Sequence, residues 1–289
     1  MVKLFLTALM VSAPLLALEL TYGKGGFGYN FGLSGVMECD VEFDVNVISL
    51  RESRLPIYKG LYLYGNIDIY NSDRLDDYAS YVDRAADFGP SGFSASDAGS
   101  MMGLPVPVSF EMRGIDMGIG LGYELLGDKR GSYVGVGIGS GFSMPYIETD
   151  NMVENAELFA AILDKTETKI MTYKLMPSLQ GRYQIIDTLS IEGNFAFGYQ
   201  VGTLSNDYID SDADFSGTVF QSDIALSLTP FRTGYFKHVV FSGGYRYNRW
   251  DVGSMKVSLV DKAFVNDSSS VLDLGFDSQF FYFGAGWRF

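Results

Sequence analysis

Apolar and polar residues alternate through much of this chain. Between positions 171 and 185, Met171, Tyr173, Leu175, Leu179, Tyr183 and Ile185 share one parity, and Thr172, Lys174, Ser178, Gln180, Arg182 and Gln184 share the other. A repeat of two belongs to an extended strand, whose successive side chains point to opposite faces. A run of this length exceeds the roughly 5–6 residues of a soluble strand. It suits a tilted strand that crosses a bilayer in about 9–11 residues.

The pattern recurs. Leu189, Ile191, Phe195, Phe197, Tyr199 and Val201 alternate with Ser190, Glu192, Asn194 and Gln200, and Ile115, Met117, Ile119, Leu121, Tyr123 and Leu125 alternate with Asp116, glycines and Glu124. Counting back from the end, strands are predicted near 270–289, 236–250, 215–229, 188–203, 169–186, 131–144, 106–126 and 57–70. Those make eight. Positions 27–33 and 41–47 also alternate and would add a hairpin, giving ten, the preferred count because the chain would otherwise open with unassigned residues. Near 277–279 the parity of the last strand breaks, since Leu272, Leu274 and Phe276 oppose Phe281 and Phe283; a bulge or a strand end above the membrane would account for it.

The connections are lopsided. Short turns are expected near 127–131, at Asp187-Thr188 and around 229–235, while long polar connections span 71–104, 145–168, 203–215 and 251–270. Short turns on one side and long loops on the other are how outer-membrane barrels are built. Two short helices are expected within the long loops. One runs through Leu75, Tyr78, Val82 and Ala86 behind the capping residues 71–73, and the other through Val153, Ala156, Phe159, Ala160 and Leu163. Each would either rest on the barrel rim or fold into its mouth.

Composition narrows the class. The 289 residues are 47% hydrophobic and 19% charged, which excludes global disorder; 34 Gly, 22 Phe and 19 Tyr with only 8 Pro favour many antiparallel strands. A net charge of −14 repels phosphate backbones, so no nucleic-acid partner is expected. Cys39 and His238 are each the sole residue of their type, which leaves no internal disulfide and no zinc set, and undercuts any Ser–His hydrolase. Residues 1–17 read as a cleavable signal peptide: Lys3, an apolar stretch to Leu16, then Ala17 at the cut. Residues 18–289 then form a single domain.

Phe281, Phe283, Trp287 and the terminal Phe289 share one parity. This ending resembles the last strand of bacterial outer-membrane β-barrel proteins. The resemblance implies a closed antiparallel up-and-down barrel in a bacterial outer membrane, with lipid, lipopolysaccharide and the barrel-insertion machinery as partners. The machinery would read the aromatic ending as an assembly signal.

With apolar residues outward, the candidate lumen residues are Asp68, Asp116, Glu124, Glu192 and Asp223 against Lys174, Arg182, Arg246 and Arg288. They would pair into a polar network or line a channel. Gly118, Gly120 and Gly122 also face inward, beside Gly135, Gly137 and Gly139. Two adjacent strands without side chains imply a tightly curved wall, a water path, or the seat of a folded-in loop. Asp210, Asp212 and Asp214 crowd one outer loop, but Phe215 stands where a calcium loop needs glycine, so a solvated loop is the expectation. No catalytic residue and no cofactor is expected. The leading function is a narrow passive channel for ions or small polar solutes. The alternative is a non-conducting barrel with a structural, adhesive or surface role through its acidic loops.

Overall fold

The computed structural model describes residues 18–33, 37–81, 106–151, 166–206, 212–231, 233–257 and 270–288. The signal peptide, the expected helix at 153–163, Asp210 and Phe289 lie outside the described residues.

Ten long strands close into one antiparallel barrel: β1 (Glu19–Leu33), β2 (Met37–Tyr58), β3 (Leu61–Ser72), β5 (Val106–Gly127), β6 (Tyr133–Asn151), β7 (Thr166–Ile186), β8 (Leu189–Asn206), β9 (Ala213–Leu228), β10 (Val239–Val257) and β11 (Ser270–Trp287). The short β4 (Leu75–Tyr81) continues the line of β3 beyond Asp73-Arg74, and pairs with β5 and β2. It lies where a helix was expected. Leu75 and Tyr78 suit helical spacing, but the raised ends of β2 and β5 leave unpaired backbone on both sides of this segment. Strand pairing satisfies it.

β1 pairs with β11 and closes the cylinder. One row of register partners leaves β5 at Leu126, passes Gly181, Ile224, Phe281 and Asn46, and returns to β5 at Arg113. One residue of that offset is the extra residue Leu125 at the β5 irregularity. A stagger of about 12 residues over ten strands gives a tilt of about 40° and a backbone radius of about 10 Å. Side chains from opposite walls meet across such a lumen.

The short turns share one end with the start of β1 and the end of β11. β2 and β3 join through Lys59-Gly60, with φ of 40° and 84°, the both-positive pair of a tight hairpin. Asp128 ties the β5–β6 turn by accepting the N–H groups of Ser132 and Arg130, each at 2.8 Å. Asp187-Thr188 links β7 to β8, and the β9–β10 connection ends in a 3-10 turn, Tyr235–His238.

Outward residues form an apolar belt. On β7 it runs from Tyr173 to Tyr183, both more than half exposed, with Leu175 and Leu179 between. Ten residues at this tilt span about 25 Å of height, the thickness expected of a lipid-facing band edged by aromatics. β7 continues above Tyr173 to Thr166, about 17 Å higher. The wall therefore stands well clear of the membrane on its outer side.

Above the belt the inward parity is kept, but the apolar face moves from the outside to the inside. Phe27, Tyr29, Val41, Phe43, Ile147, Ile170, Leu204, Phe215, Trp250 and Phe276 are buried inside the barrel, while Glu42, Asp44 and Asp214 are exposed outside. The break expected on β11 has this cause. Its pairing with β1 runs unshifted from Glu19↔Gly286 to Leu33↔Leu272, so no bulge lies at 277–279. The neighbouring irregularity is on β10, between Asp251 and Gly253.

Candidate functional site

The lumen is the candidate site, and it has two storeys. In the lower one, level with the apolar belt, charged side chains meet across the barrel. Arg246 on β10 places Nη1 2.7 Å from both carboxylate oxygens of Asp68 on β3. Its Nε and Nη2 reach Asp223 Oδ2 at 2.9 and 2.7 Å. Arg51 on β2 lies 3.2 Å from both oxygens of the same Asp223, donates to Tyr282, and stands 3.8 Å from Glu192. Tyr282 in turn donates to Asp223 at 2.6 Å. Glu192 also holds Arg182 at 3.1 Å and Arg288 at 2.9 Å.

A side branch links Lys174 and Ser143 to Asp116, all buried, with the Lys174 ammonium 5.3 Å from the Trp250 ring centroid. Nearer the turns, Arg54 pairs with Glu124 and lies over the ring of Tyr133. Charges removed from water are tolerated only when paired and hydrogen-bonded. Each cation named here has a carboxylate partner. The arrangement is a cross-brace between opposite walls.

The glycines lie where that brace leaves room. Tyr62 is the register partner of Gly122, and Tyr64 of Gly120; those glycines face Gly137 and Gly139 on β6. A Cβ added at Gly120 would fall on the Tyr64 ring, and one at Gly122 on the Tyr62 ring. At Gly135 and Gly137 it would come 2.5 Å from Tyr62 Oη and 3.0 Å from Tyr64 Cε1. Tyr64 Oη completes the fit with a 2.9 Å hydrogen bond to Ser178 Oγ. Two tyrosine rings from the next strand thus occupy the space that the missing side chains suggest is a groove. A cavity of about 70 Å³ remains beside them, bordered by Arg51, Glu52, Asn66 and Asn194. It has room for a few water molecules.

The upper storey is apolar. Tyr70 packs edge-on against Phe280 at 6.1 Å, Phe27 tilts against Trp250 and Phe276 at 6.1 Å each, and Phe43 meets Phe110 at 6.4 Å. Phe43, Val47, Met112, Ile147, Ile170 and Leu204 are fully buried.

All the sequence-derived lumen residues except Glu124, Arg182 and Arg288 are buried; those three are half-buried and ion-paired near the turn end. Arg51 and Tyr282 escaped the sequence reading. The signal for Arg51 is its parity with Val41, Val45 and Val47; for Tyr282 it is its place between outward Phe281 and Phe283. Phe281 and Phe283 face outward on β11, and Trp287 stacks on His238 at the lower rim. His238 Nδ1 lies 2.7 Å from the carbonyl oxygen of Arg288. Asp212 and Asp214 are exposed, and no metal-ligating group of three His, Cys, Asp or Glu forms among the described residues.

No family model matches the chain, and no curated protein matches it. Solved structures do. The outer membrane protease OmpT of Escherichia coli matches with a TM-score of 0.50 and 8% identity over 94% of this chain and 96% of its own. The translocator domain of the autotransporter NalP of Neisseria meningitidis matches at 0.39 and 10%, over 100% and 96%. Ail, the attachment invasion locus protein of Yersinia pestis, matches at 0.28 and 12%, over 94% and 97%. At these identities the likeness concerns the fold alone. Ten closed antiparallel strands, short turns on one rim and an apolar outward belt give this chain the fold of the bacterial outer-membrane β-barrels.

Proposed function

We propose that this barrel does not conduct and acts from its outer face, as a closed scaffold for contacts at the cell surface. The observation that carries the reading is the double filling of the lumen: a cross-wall ion-pair brace at membrane level, and a packed aromatic and aliphatic core above it. A passive channel needs a continuous aqueous path. Water-filled pores belong to barrels of more strands, whose radius exceeds the reach of their side chains. Glu42, Asp44, Asp212 and Asp214 give the exposed part of the wall an acidic surface that fits cationic partners, including divalent ions shared with lipopolysaccharide phosphates.

We read the protein as a non-enzyme. His238 sits at the lower rim against the Arg288 carbonyl, away from the outer mouth. The outward aromatics of β11 remain the proposed assembly signal, and residues 1–17 the proposed export signal.

The test is electrical. The mature chain, refolded in detergent and verified by a heat-modifiable gel shift, is inserted into a planar bilayer. No discrete current steps are expected. Reproducible steps whose ion preference changes with Glu124→Gln or Arg182→Gln would overturn the reading and restore the narrow channel.

A further inference from the structure

The lipid-facing wall carries a dent low in the apolar belt. Gly181 on β7 and Gly193 on β8 share the outward parity of Leu179 and Ile191 and are direct register partners. Two neighbouring strands therefore lack side chains at the same level. Leu126, Val134, Leu179, Ile191, Phe195 and Ile224 surround the gap, leaving a shallow groove of about 610 Å³. It rises from the level of Tyr183, at the lower aromatic edge, toward the middle of the belt, which is the depth of one leaflet.

Its lower end opens on the β5–β6 turn at Asp128 and Ser132. Lys129 and Arg130 stand exposed on that turn. The Asp128 carboxylate is folded back onto the turn, where hydrogen bonds led by the Ser132 N–H hold it below the usual carboxylate range. Among the described residues exposed on the lower rim, Lys59, Lys129, Arg130 and Lys237 outnumber Asp128 and Asp187, in a chain whose net charge is −14.

An apolar channel one leaflet deep, ending at two cations on the water side, matches one kind of molecule. We propose that the groove seats an acyl chain of an anionic glycerophospholipid of the periplasmic leaflet, with its phosphate held by Lys129 and Arg130. Hydrocarbon fits a floor of two glycines walled by aliphatic side chains. Each nearby basic side chain adds attraction for an anionic headgroup. A protein segment in the same groove would have to carry its own hydrogen-bonded backbone into lipid.

The experiment is native mass spectrometry of the refolded full chain in uncharged detergent. It is titrated in parallel with phosphatidylglycerol and with phosphatidylcholine of the same acyl chains. One retained phosphatidylglycerol is expected, about tenfold preferred over phosphatidylcholine. Lys129→Gln with Arg130→Gln, on an exposed turn, abolishes that preference. Gly193→Leu fills the groove and weakens both lipids about fivefold. A Cβ there meets Phe195 Cε2 at 3.5 Å, an ordinary contact, so the barrel carries the new side chain. Equal retention of the two lipids, or variants that bind as the parent does, would overturn the proposal. So would a protein dimer peak in place of lipid adducts, which assigns the groove to a second copy.

Discussion

Between the aromatic edges, β11 turns Phe281 and Phe283 outward and Tyr282 inward; a few residues higher on the same unbroken strand, Phe276 and Leu274 turn inward. β2 does likewise, with Ile48 exposed and Val41, Phe43, Val45 and Val47 enclosed. The backbone continues without interruption while the chemistry of its two faces is exchanged. The cause is the solvent outside. In the belt the exterior solvent is hydrocarbon, so apolar side chains face out and the interior takes the polar ones, paired because water is scarce there. Above the belt the exterior solvent is water, and the same cylinder folds as a soluble barrel does, with its hydrophobic residues inside. One strand obeys both rules because inward and outward positions differ by a single residue.

The comparison is broken first at its most strongly coupled point. Asp223 is shared by Arg51, Arg246 and Tyr282, so Asp223→Asn keeps the shape of the site and strips its centre of charge. A buried pair that loses one partner costs about 3–5 kcal/mol. In the upper storey a change of similar size, Leu204→Met, conserves volume without touching a charge, and costs less than about 1.5 kcal/mol. Urea unfolding of the two refolded variants, followed by loss of the folded gel band, checks this. Equal destabilisation would mean that the storeys do not differ in kind.

The second test concerns the outer surface. Leu179 faces lipid near the middle of the belt, whereas Ser205 faces outward above it. Leu179→Lys is expected to cost about 2–4 kcal/mol, the penalty of a charge near the bilayer midplane. Ser205→Lys lies in water and stays within about 0.5 kcal/mol of the parent. A measurable penalty at both positions, in barrels refolded into lipid vesicles, would place the membrane boundary higher than Tyr173.

Much of this was legible in the chain. The lower storey announces itself through long alternation, and the ten strands and lopsided turns follow from it. The inversion was visible as a fault in β11, but parity alone does not say whether a strand has slipped or its solvent has changed. Lys59-Gly60 was missed because lysine rarely takes a positive φ and apolar residues flank the turn. β4 reads as a helix because positions 75 and 78, three apart, share a face in a helix and not in a strand; the pairing with β2 and β5 that overrides this spacing is not visible in the segment itself. Apart from Arg51 and Tyr282, which the sequence reading passes over, the residues of the brace are individually legible from their parity. Their partners are not, since Asp68 and Arg246 are 178 positions apart and meet only once the cylinder closes.

The glycine wall shows the same limit and supplies the finest test. Two glycine-rich neighbours read as an open groove as long as the next strand's register is unknown. Pairing Tyr62 with Gly122 and Tyr64 with Gly120 turns the groove into a fitted seat, with aromatic rings covering glycines across strands. Gly120→Leu therefore drives a side chain into the Tyr64 ring, an overpacking expected to cost about 1–3 kcal/mol. Tyr64→Ala alone loses the ring and its hydrogen bond to Ser178. In the double variant the leucine occupies the vacated space, so the two losses fall short of adding, by at least about 0.5 kcal/mol. Full additivity would mean that Tyr64 does not fill the glycine wall. The lower storey would then have the groove that the sequence suggested, and the case for a closed lumen would rest on the upper storey alone.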